Sequence, residues 1–136
     1  MATWVNESVN QALARFNEGD VEGVVDLCDP EIELTTFMGH FEGRVYHGHP
    51  GIRQWFADVR EAFSTLHVNV LSITEVSDVD ENEVAIVEIS FTAIGAEDGI
   101  SLSEHLFQRI ESRGRRAIRW SWHPSLETAL GPGEAA

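Results

Sequence analysis

Residues 104–123 read EHLFQRIESRGRRAIRWSWH, two alternating stretches on either side of a glycine-containing turn. Successive side chains of a β-strand point to opposite faces, so Trp120 and Trp122 would share one face of a strand and the polar residues next to them the other. The turn at 112–114 is short enough to join two antiparallel strands. The segment therefore predicts a β-hairpin with two indoles on one side of its second strand.

The sequence around this hairpin predicts helices followed by a sheet. Apolar residues recur at helical spacing over residues 5–17 and again from Pro50 to Phe63, and Asp20 is placed to cap a short helix between them. Alternating residues predict strands at 32–36, at about 66–76, 83–95, 101–112 and 115–123, and a short one around 44–46. Three helices followed by a four-strand meander predict an α+β domain, in which the helices pack on one face of a curved antiparallel sheet and enclose a pocket.

The composition is typical of a single domain with neither nucleic acid nor membrane as a partner. The chain has 136 residues, and residues 131–136 are expected to be a frayed tail. Its net charge of −14 is opposite to that of a protein that binds phosphate backbones. No apolar run approaches the ~20 residues of a membrane span, and the first residues lack the basic start and apolar centre of a signal peptide, so a cytoplasmic location is expected. The single cysteine, Cys28, agrees with a reducing compartment.

Three segments carry a resemblance to a known family. They are FNEGDVEGVVDLCDPEIEL at 16–34, YHGHPGIRQWF at 46–56 and the hairpin at 104–123. In order and spacing they resemble the SnoaL-like branch of the nuclear transport factor 2-like superfamily, so residues 1–136 are expected to form a single SnoaL-like domain. The resemblance implies a cone-shaped α+β barrel, a homodimer, and a deep apolar pocket between helices and sheet. Members include polyketide cyclases, ketosteroid isomerases, limonene epoxide hydrolases, dehydratases and binding modules, so the function must be argued from the site.

The residues of two family mechanisms are missing. Where ketosteroid isomerases have a tyrosine, an aspartate base and a protonated aspartate, the resemblance places Ala12, Thr36 and His105. Neither Ala12 nor Thr36 can abstract a proton near neutral pH. The strands at 83–95 and 115–123 likewise lack the arginine and aspartates of limonene epoxide hydrolases. Neither a steroid isomerase nor an epoxide hydrolase of those types is therefore expected.

His105 and Glu88 are the candidate catalytic residues. Polyketide cyclases use an acidic residue assisted by a histidine, which leaves His105 as a general acid or base, a role that imidazole suits at neutral pH. The alternative for His105 is a half-buried side chain satisfied by a neighbour. Glu88 lies in a strand otherwise rich in Val, Ile and Ala. A carboxylate there is either a base or the ion-pair partner of one of the arginines between residues 109 and 119. A shift of one residue in strand register would turn Glu88 to the other face, so its position relative to the pocket stays open.

The candidate substrate-binding residues are mostly aromatic. They are Thr36, Tyr46, Trp55, Phe107, Trp120 and Trp122. The resemblance directs Phe107 and both late tryptophans, together with His105, towards the pocket. An indole can stack on a flat ligand through its large apolar face, or it can be plain core or part of a dimer interface. Tyr46 either donates a hydrogen bond to a ligand oxygen or makes a structural one.

Neither a metal nor a cofactor is expected. His40, His47 and His49 share a loop with Glu42, but their spacing matches no recognised metal site, whose ligands converge from a fixed platform. The sequence also contains no glycine-rich phosphate loop and no nucleophile elbow.

The sequence therefore supports two functions. The first is cofactor-free acid/base chemistry of the cyclase, isomerase or lyase type on a small hydrophobic oxygenated molecule in an apolar pocket. The alternative is a non-catalytic module of the same fold that binds a small ligand or has a structural role. A homodimer is also expected, because Leu106 and Ile110 would lie on the face opposite the pocket and leave apolar surface exposed in a monomer.

Overall fold

The computed structural model describes residues 3–35, 44–79 and 82–130. Its helices are α1 (Thr3–Glu18), α2 (Val21–Val25), α3 (Gly48–Ala62) and α4 (Leu126–Leu130). Its strands are β1 (Cys28–Thr35), β2 (Val45–His47), β3 (Phe63–Val79), β4 (Asn82–Gly95), β5 (Ser101–Arg113) and β6 (Arg116–His123). The predicted α+β architecture is confirmed, and α4 is an element that the sequence did not predict. None of these helices is long and apolar enough to cross a membrane.

The described strands form one sheet in the order β2-β1-β6-β5-β4-β3. Strands β3 to β6 form the predicted antiparallel meander. β1 and β6 run parallel to each other, unlike the other described pairs. This arrangement follows from the path of the chain, because α3 crosses from β2 to the far edge of the sheet and the meander then returns until β6 lies beside β1.

Helices α1 and α3 pack on one face of the sheet, which we call the inner face; the opposite one is the outer face. On β4 the alternating residues Val87, Ile89 and Phe91 point inward and are fully buried in the core. Phe16 of α1 stacks on Trp55 of α3 with 5.1 Å between ring centroids, so the two helices also pack on each other. The core of the protein therefore lies between these helices and the inner face.

A side-chain amide fixes α1 to β3. Asn17 donates from Nδ2 to the carbonyl oxygen of Val68 at 2.9 Å, and its Oδ1 accepts from the Val68 N–H at 2.8 Å. Both polar ends of the Asn17 amide are thus satisfied by one backbone residue, as expected for a part-buried amide in a packed protein.

The outer face carries α4. Arg109 of β5 donates from Nη1 to the carbonyl oxygens of Ala129 at 3.1 Å and Leu130 at 2.9 Å. The last carbonyls of a helix lack partners within the helix, and a cationic side chain there satisfies them. Arg109 therefore holds the C-terminal end of α4 against the sheet.

Candidate functional site

The predicted site residues fall on the two faces of the sheet. Trp55, Trp120 and Trp122 lie in the core at the inner face. Tyr46 belongs to the same core, and its hydroxyl reaches Asp58 of α3. Glu88, His105 and Phe107 lie on the outer face. Thr36 lies outside the described residues. The structure therefore separates the candidate catalytic pair from Tyr46 and the three tryptophans and leaves Phe107 beside His105.

Trp55, Trp120 and Trp122 form a compact group that we call the indole cluster. The Trp55 ring lies edge-on to Trp120 and Trp122, with centroids 5.3 and 6.0 Å away, and the two β6 rings are 6.3 Å apart. Their exposed fractions are 0%, 3% and 2%. The alternation of β6 explains the pair from one strand, and Trp55 in the middle of α3 supplies the third ring. The indoles therefore belong to the core, which is one of the alternatives left open by the sequence.

Polar atoms without partners are concentrated in and beside this cluster. The Nε1 atoms of all three indoles are buried, and none has a hydrogen-bond partner among the described residues. The same is true of both Oε1 and Nε2 of Gln108, a side chain that is 0% exposed. Gln108 lies directly opposite Trp122 in the β5–β6 register, so the two Cβ atoms are roughly 5 Å apart on the inner face. A buried polar group left unsatisfied costs about 1–3 kcal/mol, so folded proteins keep few of them.

Gln108 is not among the site residues predicted from the sequence. Its two strand neighbours on the same face, Leu106 and Ile110, are apolar and lie in or against the core. One amide between inward-pointing apolar residues was therefore the available signal. It becomes informative only when the inner face of β5 is known, since alternation alone does not say which side is covered.

A small cavity adjoins the indole cluster at Trp120. It has a volume of about 40 Å³ and lies between α1 and the β5–β6 hairpin, with Val9, Leu13, Leu27 and Ile110 among its apolar lining. A cavity of this size holds only a few water-sized groups, whereas pockets for drug-sized ligands span about 300–1,000 Å³. Indoles thus occupy much of the space where the resemblance implied a deep pocket.

Glu88 and His105 do meet, but on the outer face. His105 Nε2 lies 2.6 Å from Glu88 Oε2, and Ser72 Oγ donates to Glu88 Oε1 at 3.1 Å. The two side chains remain 54% and 33% exposed, for His105 and Glu88 respectively. Glu88 is thus paired with a histidine rather than with a late arginine. The expectation that His105 and Phe107 share a face with the tryptophans is wrong, because β5 turns its other residues inward.

The same reversal affects the dimer argument. Leu106 is 4% exposed within the core, and Ile110 packs against that core. Neither residue lies on the outer face, so the apolar surface that favoured a homodimer is not formed by them. The homodimer remains a prediction from the family resemblance.

Tyr46 makes a hydrogen bond within the protein. Its hydroxyl donates to Asp58 Oδ2 at 2.6 Å, and Arg44 lies 3.2 Å from the same carboxylate oxygen. This hydrogen bond from Tyr46 is the main cause that lowers the pKa of Asp58. Burial is the main cause that raises the pKa of Tyr46, and the hydrogen bond to Asp58 adds to it. The arrangement matches the structural alternative for Tyr46.

The histidine-containing loop is described only in its second half. His49 Nε2 lies 2.8 Å from the carbonyl oxygen of Cys28, and the imidazole therefore links the start of α3 to the start of β1. His40 and Glu42 lie outside the described residues. Within the described part of the chain, no group of three or more His, Cys, Asp or Glu residues is arranged to hold a metal ion.

A family model and solved structures match this arrangement of helices and sheet. The model of the SnoaL-like domain matches residues 9–120. The chain belongs to this family. No curated protein matches it in sequence. A SnoaL-like domain is thus identified by its family model and its fold.

Solved structures show the same fold at low sequence identity. An NTF2-like protein of unknown function from Burkholderia pseudomallei has a TM-score of 0.77 and 16% identity, over 96% of each chain. A hexachlorocyclohexane dehydrochlorinase has a TM-score of 0.76 and 11% identity, over 88% of this SnoaL-like chain and 82% of the other. TerC, crystallised with polyporic acid, has a TM-score of 0.68 and 18% identity, over 85% and 87%. At these identities the likeness establishes the fold alone.

Proposed function

We propose that this SnoaL-like protein binds a small, flat, oxygen-bearing apolar molecule at the indole cluster. The observation that carries the proposal is the set of buried polar atoms without partners on Trp55, Trp120, Trp122 and Gln108. Large apolar surfaces with a few converging polar groups are the usual composition of a small-molecule site. The oxygens of a bound ligand would satisfy the indole N–H groups, which otherwise make the core less stable.

The cavity at Trp120 is the natural point of entry, because it touches the cluster and is lined mainly by apolar side chains. It is small, so the ligand must push α1 and the β5–β6 hairpin apart or replace packed side chains. Binding would therefore be slower and weaker than for a preformed pocket, since part of the interaction energy is used to open the core.

Binding without conversion is the function that this interior supports better. Of the described residues lining the cavity, the ionisable ones are Cys28 and Arg115. Burial raises the pKa of the Cys28 thiol to about 12, so it stays protonated at neutral pH and is a poor nucleophile. The guanidinium of Arg115 donates hydrogen bonds and offers no acceptor. A general base needs a free basic lone pair at the working pH, and neither side chain offers one.

Tryptophan fluorescence quenching tests this proposal directly. We expect 2-acetylnaphthalene to quench the emission saturably, and Trp120→Leu to weaken its affinity at least tenfold because the cavity loses its aromatic wall. Phe107→Leu is the matched control, since that ring lies on the outer face, and it should leave the affinity unchanged. Calorimetry checks the affinities independently of fluorescence. Equal weakening by both substitutions, or no saturable binding of flat aromatic carbonyl compounds, would refute the proposal.

A second candidate function is cofactor-free acid/base chemistry of the cyclase, isomerase or lyase type. The specific observation in its favour is the 2.6 Å contact between Glu88 and His105, which could orient the imidazole for proton transfer. Its substrate would be a small oxygenated molecule held on the outer face beside Phe107. The ring centroids of His105 and Phe107 are 5.3 Å apart, so an aromatic surface lies next to the imidazole.

Turnover by His105→Gln distinguishes the two functions. If proton transfer is the function, this substitution should reduce kcat at least a hundredfold, the usual minimum for losing a general acid or base. His67→Gln is the control, as an exposed outer-face histidine on β3 paired with Asn69. Wild-type rates in His105→Gln, measured as proton exchange from a ketone panel by NMR, would exclude catalysis by this pair.

A further inference from the structure

Gln108 carries more information about the ligand than the indoles do. An indole presents one donor, whereas a carboxamide presents two N–H donors and a carbonyl acceptor in one plane. Both ends of the Gln108 amide are buried, and neither has a partner among the described residues. Asn17 of α1 shows the contrast, since a backbone N–H and a backbone carbonyl occupy the two ends of its amide.

A buried amide in this position destabilises the folded protein unless a partner forms hydrogen bonds with it. A leucine or methionine of similar size would fill the same space between the core residues of β5 without the cost of unsatisfied groups, which is about 1–3 kcal/mol for each. A partner that satisfies both ends must itself offer an acceptor beside a donor. Such an edge occurs where a carbonyl lies next to an N–H, as in a lactam, or next to an O–H, as in an enol or hydroxycarbonyl.

The surroundings favour an uncharged ligand. Two of the four arginines on the hairpin strands, Arg109 and Arg119, lie on the outer face, where both contact Glu111. The other two, Arg113 and Arg116, are exposed beside the β5–β6 turn. Arg115 lines the cavity but is exposed in the β5–β6 turn, seven residues along the chain from Gln108. A ligand carboxylate bound next to Gln108 would be a buried charge without a counter-ion, which is strongly unfavourable.

The donors also outnumber the acceptors. The three indoles supply three N–H groups and the amide supplies two more, against the single carbonyl oxygen of Gln108. A ligand that forms hydrogen bonds with these four side chains must therefore offer more acceptor positions than donors. A planar ring carrying a carbonyl with an adjacent N–H or O–H meets this condition, because one carbonyl oxygen accepts two hydrogen bonds.

We propose that Gln108 recognises the carbonyl edge of an uncharged planar ring in which an N–H or O–H lies next to the carbonyl. The amide pairs with this edge through one donated and one accepted hydrogen bond, and Trp122, directly opposite on β6, donates to the second lone pair of the ligand carbonyl. This assignment rests on the proposed binding function of the indole cluster and adds the chemical class of its ligand.

The test compares 2-quinolone, a flat lactam, with N-methyl-2-quinolone, which keeps the carbonyl but loses the donor. We expect calorimetry to show at least tenfold tighter binding of 2-quinolone to the wild-type chain. In Gln108→Met the two compounds should bind equally, because the side chain no longer distinguishes them. Gln11→Met, at an exposed position of α1, is the matched control and should keep the tenfold preference.

The outcomes separate this inference from the proposed function. Equal binding of both compounds to the wild type, or a preference that survives in Gln108→Met, would overturn the assignment while leaving the site intact. Binding of neither compound, together with no binding of 2-acetylnaphthalene, would overturn both. Thermal unfolding without ligand provides a check on folding: Gln108→Met should unfold at the same or a higher temperature, since it removes an unsatisfied amide.

Discussion

Trp55→Ala is expected to lower the free energy of unfolding by about 3–5 kcal/mol, the range for removing a large buried aromatic side chain. Trp55 is 0% exposed and its ring lies within 5.1–6.0 Å of Phe16, Trp120 and Trp122, measured between centroids. It thus joins α3 to both α1 and β6. Since small domains are stable by about 5–15 kcal/mol, this one substitution would remove a large part of the total.

Urea unfolding followed by circular dichroism measures this effect without relying on the emission of the deleted tryptophan. Trp55→Phe should cost clearly less than Trp55→Ala, because a smaller ring keeps part of the contact with its neighbours. Phe107→Ala is the control for loss of an aromatic ring, because Phe107 is only partly buried on the outer face. If Trp55→Ala and Phe107→Ala cost the same, the indole cluster is not the centre of the core.

The sequence predicted the helices and strands of this fold far better than it predicted which face of each strand is buried. Period-two alternation from β3 to β6 and the short turns between these strands determine an antiparallel meander, whatever the tertiary context. Alternation gives two sets of residues for each strand but does not say which set the helices cover. For β6 the two tryptophans indicate which face is buried, because indoles are rarely left exposed.

On β5 the two sets are closer in character, and the resemblance to the family directed attention to the wrong one. One set contains His105 and Phe107, and the other contains Leu106 and Gln108. The structure buries the second set, with Leu106 at 4% and Gln108 at 0% exposure. Pairing with β6 imposes this choice, because Gln108 lies opposite Trp122 and neighbours in register share a face. A reading of the β5–β6 register would therefore have found Gln108.

Glu88 and His105 were both candidate catalytic residues, and the sequence left open which face of the sheet Glu88 lies on. They occupy adjacent strands at diagonal positions, since Glu88 pairs in register with Phe107, and His105 pairs with Ser90. Diagonal neighbours on one face are within reach of long side chains. Their contact is therefore a consequence of the β4–β5 register, and it does not depend on a pocket.

Arg109→Met is expected to lower the free energy of unfolding by about 3–5 kcal/mol, because the buried carboxylate of Glu111 loses its main ion-pair partner. Glu111 is 7% exposed, and Arg109 contacts its Oε1 from Nη2 at 3.2 Å. Arg119 reaches Oε2 of the same carboxylate at 3.5 Å but is 67% exposed, so Arg119→Met should cost less than about 1 kcal/mol. Arg109 also holds the last carbonyls of α4, which would lose their partner in the same variant.

Two further measurements separate loss of the ion pair from a general loss of packing. In Arg109→Met/Glu111→Leu no charge is left buried, so urea unfolding should recover most of the stability lost in the single variant. The pKa of His123 provides an independent readout, since burial lowers it first and the charge of Arg109 lowers it further. Removing that charge should raise the His123 pKa, as followed by NMR.

The pH dependence of stability follows from the same lowered pKa of His123. A histidine whose pKa is lower in the folded than in the unfolded state takes up protons on unfolding, so it reduces stability as the pH falls through its unfolded value of about 6.5. This loss on acidification should be smaller in Arg109→Met than in the wild type. If Arg109→Met and Arg119→Met lower the free energy of unfolding by the same small amount, Arg109 does not compensate the buried Glu111 carboxylate. If the pKa of His123 is the same in Arg109→Met as in the wild type, the charge of Arg109 does not act on that histidine.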